Sequence, residues 1–183
     1  MEGNSGKKEK RPYVSTDELD VIDGYICLVR SGERFTGTYY TRHPNGVIGE
    51  EVEVEEGRRH GVVRMYNEEG VQIVEAHFFR GNKHGKLTMW YDNGVKRSEV
   101  NMEWGLREGV MLVWYRDGSL KIRGYYHEDK LHGIQRKYFP GGQPRMEVTF
   151  HEDMEHGPKT IWDEDGNVIF KGWYVYGERR ELR

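Results

Sequence analysis

With 183 residues and a formal net charge of -3, the chain has the length of one ordinary domain and no global attraction for nucleic acid or acidic lipid. Only 36% of the residues are hydrophobic while 13% are aromatic, which suits a thin single sheet with a narrow core better than a thick sandwich. Cys27 is the single cysteine, so an intramolecular disulfide and a CxxC metal knot are excluded and a reducing cytoplasm is the expected compartment.

Residues 1–12, MEGNSGKKEKRP, are polar and basic with no apolar run behind them. They read as a disordered tail, not as a signal peptide or a transmembrane span. Lys7, Lys8, Lys10 and Arg11 are too few to hold a membrane alone. Residues 13–32 read as an N-terminal capping segment. Within it STDELD predicts a turn or short helix capped by Ser15 or Thr16, with acidic residues in its first turn. Residues 24–31 then form a strand that protects the first hairpin, with Cys27 as a buried core thiol.

From residue 33 to residue 176 a phrase of 24 residues repeats. GRRHGVVRMYNEEG starts at Gly57, GNKHGKLTMWYDNG at Gly81, GLREGVMLVWYRDG at Gly105, DKLHGIQRKYFPGG at Asp129 and DMEHGPKTIWDEDG at Asp153, and FTGTYYTRHPNG fits the same frame one period earlier. A fixed period of this length means stacked units. Position 5 of the repeat is Gly37, Gly61, Gly85, Gly109, Gly133 and Gly157, and position 14 is Gly46, Gly70, Gly94, Gly118, Gly142 and Gly166. The second glycine closes a short polar turn that needs positive φ. Positions 18, 20 and 22 are mostly apolar (Val74, Ala76 and Phe78 in one copy) and alternate with charged residues such as Glu75 and Glu99 at position 19. That is period two, with one face buried and one wet, and no stretch sustains a period of 3.6. The expected fold class is all-β: an elongated solenoid of six stacked antiparallel β-hairpins in a single twisted or curled sheet. Gly124 and Gly172 leave room for large neighbours in the inner columns, and residues 177–183 begin a seventh repeat and serve as a polar cap.

The phrase G-x-x-x-G-x-x-x-x-aromatic-x-x-x-G, with His before the second Gly, resembles the MORN repeat and its bacterial variant. GERFTGTYYTRHPNG followed by GRRHG is similar to the YwqK-type antitoxins of toxin–antitoxin systems, with Arg34 where those proteins carry Pro before Phe35-Thr36-Gly37. The resemblance covers residues 32–176. It implies a hairpin array with no catalytic centre, acting as an antitoxin, as a scaffold or as a lipid-binding accessory module.

Four groups of residues are candidates for chemistry. The histidines of position 4, His60, His84, His132 and His156, would stand about two strands apart, roughly 9–10 Å, too far for one metal ion. They read as structural groups at the hairpin junctions. The position-10 rings Tyr66, Trp90, Trp114, Tyr138 and Trp162 read as core. Large rings at positions the alternation makes wet, Tyr91, Tyr115 and Phe139 at position 11, Tyr125 and Trp173 at position 21 and Phe79 at position 23, either form a partner-binding surface or cover the back of a curled sheet. The run GEEVEVEE, with Glu51, Glu53 and Glu55, is either a solvated face or an acidic patch that docks a basic partner. Arg97, Lys121 and Arg145 at position 17 are expected to pair across strands with the position-19 glutamates. No P-loop, GxSxG or HExxH motif is present, and no cofactor, catalytic group or metal ligand is expected. The expected partner is a protein, a cognate toxin in the antitoxin reading, and not nucleic acid. Peripheral lipid contact and self-association through sheet edges are the other modes the sequence allows.

Overall fold

The computed structural model describes residues 11–181. Strands β1 (Tyr13–Ser15), β2 (Leu19–Ile22) and β3 (Tyr25–Leu28) build the N-terminal cap, followed by β4 (Gly37–Arg42) and β5 (Ile48–Glu55). The array continues through β6 (Arg58–Tyr66), β7 (Gln72–Phe79), β8 (Asn82–Trp90), β9 (Lys96–Glu103), β10 (Leu106–Trp114) and β11 (Leu120–His127). Then come β12 (Lys130–Leu131), β13 (Gly133–Tyr138), β14 (Pro144–His151), β15 (Met154–Trp162), β16 (Val168–Val175) and β17 (Glu178–Arg180). From β4 onward each strand pairs antiparallel with the next in sequence, except that β12 and β13 both pair with β11, in one sheet of 15 strands. This is the stacked-hairpin solenoid the period predicts.

The cap differs from the expectation in one respect. The strand beside β4 is β1, and it runs parallel. β3 pairs with β2 in a separate two-stranded sheet that lies over the first repeats, with Ile26 donating to the Gly57 carbonyl and accepting from Phe35 N–H. Between β1 and β2, Thr16–Glu18 forms one 3-10 turn whose N-cap, Ser15, accepts from Asp17 N–H. Cys27 is buried, as expected.

Two turns set the array. At each hairpin tip the position-14 glycine adopts a φ of 80 to 91°, and its N–H bonds the carbonyl three residues earlier, as in Gly70 to Asn67 and Gly94 to Tyr91. Between repeats, two successive residues take positive φ, for example Arg80 (48°) and Gly81 (91°), or Glu128 (48°) and Asp129 (69°). That pair is the backbone of a type I′ turn, whose twist matches that of the strands it joins. The second residue of each such pair then donates its N–H to the preceding repeat: Gly81 to Arg59, Gly105 to Lys83 and Asp153 to Leu131. One backbone bond per repeat therefore ties successive hairpins together along this edge.

Register defines two faces. Val63 pairs with Ala76, Ala76 with Leu87, Leu87 with Val100 and Val100 with Met111, so positions 7 and 20 form one apolar row from β6 to β10. On this core face the cap residues Val14, Leu19, Ile26 and Leu28 pack over Phe35, Tyr39, Val52, Val54 and Val63. At Gly172 the space a Cβ would need is taken by the rings of Phe170, at 2.9 Å, and Tyr174, at 3.2 Å, which is why glycine stands in that column.

Candidate binding surface

Parity places the position-10 rings away from the core face. Tyr66 donates its hydroxyl to Glu51 Oε2 at 2.9 Å, on the face that carries the position-19 charges. The same parity turns position 11 toward the core face. Tyr91, Tyr115 and Phe139 are accordingly half-buried and not the open rings expected of a wet face. The Tyr91 hydroxyl donates to the Trp114 carbonyl at 2.9 Å, and that of Tyr115 to the Tyr138 carbonyl at 2.8 Å. His43 Nε2 meets the Tyr66 carbonyl at 2.8 Å in the same relation. These side chains join each hairpin tip to the next repeat. Tyr91→Phe and Tyr115→Phe are each expected to lower stability by about 0.5–1.5 kcal/mol, seen as a lower urea midpoint at unchanged m-value. Unchanged midpoints in both variants would show that the bonds are not formed.

The acidic run is engaged within the fold. Glu51 also accepts from the Tyr13 hydroxyl at 2.8 Å, Glu53 accepts from Val62 N–H at 3.1 Å, and Glu55 lies 3.3 Å from His60 Nε2. Burial, and then the bond to Glu51, push the Tyr13 phenol up to about 12. The position-19 glutamates find partners other than those expected: Glu75 pairs with Arg64, Glu99 with Lys86 and Lys96, and Glu147 with Arg136. Position 17 is the extra residue of the tip bulge, where Met89 faces Ser98 but Trp90 faces Lys96. Among the described residues no ion pair uses Arg97, Lys121 or Arg145.

Along the inter-repeat edge, rings from positions 23 and 24 fill the gaps between the position-4 histidines. His60, Phe79, His84 and Trp104 follow one another at centroid distances of 5.2, 6.1 and 5.0 Å. His127, His132, His151, His156 and Tyr176 do the same at 6.3, 5.1, 5.8 and 4.7 Å. The wide histidine spacing anticipated for position 4 is thus bridged by intervening rings. Among the described residues no three His, Cys, Asp or Glu side chains converge on a metal-sized site. Glu108 interrupts the column, and its Oε1 lies 3.2 Å from His127 Nδ1. That hydrogen bond, and then the charge of Glu108, raise His127 above its ordinary value of 6.5. The stabilisation from this pair is complete below the unfolded pKa and is lost as pH rises through the higher folded one. An NMR titration should therefore give His127 a midpoint above about 6.5 that falls back in Glu108→Gln, and identical midpoints in both proteins would contradict the pairing.

The outer face changes character along the array. Positions 6 and 21 pair across each hairpin. In the first repeats these positions hold Glu53, Val62, His77, Lys86 and Asn101. Further on they hold Val110 opposite Tyr125, Ile134 opposite Thr149 and Pro158 opposite Trp173, on strands β10 to β16. Val110, Tyr125, Ile134 and Trp173 are 45, 40, 47 and 42% exposed, a strip of apolar side chains open to solvent. Beside it at position 19 stand Arg123 and Lys171, which form no ion pair among the described residues. Tyr125 and Trp173 were legible in the sequence. Val110 and Ile134 emerge from the sequence only when position 6 is paired with position 21. Phe79 is 38% exposed but belongs to the ring column, not to this strip.

Residues 83–103, 107–128 and 131–152 match the MORN repeat variant. The three matched segments are consecutive units of the 24-residue period, and the hairpins on either side have the same turns and register. No curated protein matches the chain. Among solved structures, a point mutant of TarM from S. aureus is similar at 13% identity and a TM-score of 0.35, with 52% of this chain and 19% of that chain covered. A second TarM structure is similar at 16% identity and a TM-score of 0.35, with 57% and 20% covered. The chain spans about a fifth of the length of those proteins.

Proposed function

We propose that this chain is a non-catalytic protein-binding module and that the apolar strip of Val110, Tyr125, Ile134 and Trp173 is its working surface. The observation that carries the reading is the change along positions 6 and 21: apart from Val62 these rows are polar in the first repeats, and apart from Thr149 they are apolar in the later ones, with Val110, Tyr125, Ile134 and Trp173 exposed. A sheet face already held by its neighbours loses little conformational freedom on binding, and a tyrosine and a tryptophan supply the usual anchors of an interface. Arg123 and Lys171 beside the strip favour a partner whose apolar ridge is flanked by carboxylates. In the antitoxin reading, which the likeness to YwqK-type proteins supports, that partner is a toxin blocked by occlusion. In the scaffold reading it is a component of an assembly.

The test is affinity capture with the tagged chain and with Tyr125→Ser/Trp173→Ser in parallel, followed by expression of each captured protein alone. A stoichiometric partner that depends on the two rings supports the module. If that partner arrests growth and co-expression of this chain relieves the arrest, it is a toxin. Partners captured equally by both proteins would overturn the assignment of the surface.

A further inference from the structure

The core face carries a second feature that the strip on the opposite face does not explain. Beyond the cap, a groove of about 350 Å³ is lined by Tyr115, Lys121, Lys137, Arg145, Met146 and Ile161. Lys137 stands between Ile122 and Met146, in the row where four of the other five repeats place Met65, Met89, Val113 and Ile161 and the first places Thr41. Lys121 Nζ lies 5.1 Å from the Tyr115 ring centroid, and the Arg145 guanidinium lies 5.5 Å from that of Phe139. Among the described residues none of the three cations has a carboxylate partner, although glutamates elsewhere on the sheet pair regularly. Three like charges around one apolar floor repel one another, and an anion placed among them would be held by all three.

The period of the array adds a geometric constraint. Arg97 holds the position of Lys121 and Arg145 one repeat earlier. Successive members of this row are two strands apart, about 9.6 Å. A polyproline II chain advances about 9.3 Å in three residues and returns to the same side. We propose that this groove takes an extended acidic segment of a partner protein, with carboxylates at every third residue meeting Arg97, Lys121 and Arg145 and its apolar side chains resting on Ile122 and Met146, beside the last two of these cations. The site is distinct from the apolar strip, and its test does not depend on that surface.

The probe is a fluorescein-labelled, acetylated dodecapeptide of four Glu-Pro-Leu units, read by fluorescence anisotropy against the full chain. Binding is expected, weakening as salt rises, and absent for the same peptide with lysine in place of glutamate. The variant Lys121→Gln/Lys137→Met/Arg145→Gln keeps the row's own methionine at position 9 and is expected to retain its fold by circular dichroism while losing at least tenfold in affinity. Tyr125→Ser/Trp173→Ser should bind the peptide like the parent chain, which separates this site from the proposed protein-docking strip. Equal binding of the lysine peptide, no binding of the glutamate peptide, or unchanged affinity in the folded triple variant would each overturn the inference. Capture by phosphatidylserine vesicles without peptide binding would also overturn it and would assign the groove to a membrane surface.

Discussion

Phe35→Ala is expected to lower the stability of the folded chain by about 3–5 kcal/mol, the cost of emptying a well-packed aromatic site. Phe35 is 2% exposed and sits in the cluster of Tyr39, Val52, Val54 and Val63, with Leu19, Ile26 and Leu28 of the cap packed on that cluster. Its ring also takes the space beside Gly37, where an added Cβ would lie 2.7 Å from Phe35 Cζ. Its position in the repeat is elsewhere held by Arg59, Lys83, Arg107, Leu131 and Glu155, so an aromatic anchor is found here only under the cap. Lys83→Ala, at the same position in an uncapped repeat, should change stability by less than about 0.5 kcal/mol. Urea unfolding of both variants makes the comparison. A loss below about 1 kcal/mol for Phe35→Ala would mean that the cap does not contribute to the cooperative unit.

Tyr125→Ser/Trp173→Ser is expected to weaken partner binding by at least about a hundredfold, some 2.7 kcal/mol, while the variant keeps the β-sheet circular dichroism of the parent chain. Tyr125 and Trp173 keep 40 and 42% of their area open to solvent, and that area is what an interface can cover. Lys86→Ser alters the polar end of the same rows and is the matched control, with affinity expected within about threefold of the parent. Titration calorimetry with the purified partner reads all three proteins. Equal loss from Lys86→Ser would move the contact toward the first repeats.

The array itself was legible because every repeat needs a glycine at the same two places, and a period of 24 residues survives large changes at the other positions. The alternation at positions 18, 20 and 22 also identified the core face correctly. What did not follow from the sequence was parity across the hairpin tip. The bulge that lets Trp90 face Lys96 while Met89 faces Ser98 cannot be counted without a register, and it decides which of positions 10 and 11 turns outward. For the same reason the position-17 cations were matched with glutamates that Arg64, Lys86 and Arg136 in fact pair with. Glu51, Glu53 and Glu55 looked like free charge because the hydroxyls of Tyr13 and Tyr66 and the N–H of Val62, which they bind, come from other strands. The inter-repeat turn left a fainter mark, since its second residue is glycine at Gly57, Gly81 and Gly105 but aspartate at Asp129 and Asp153.

The measurement that tests the central claim most directly is hydroxyl-radical footprinting of the chain alone and in complex with the partner recovered by affinity capture. The account requires the oxidation rates of Tyr125 and Trp173 to fall in the complex while those of Tyr13 and Trp104, which are 50 and 56% exposed and lie off the strip, stay unchanged. Protection of Tyr13 and Trp104 with no change at Tyr125 and Trp173 would contradict it.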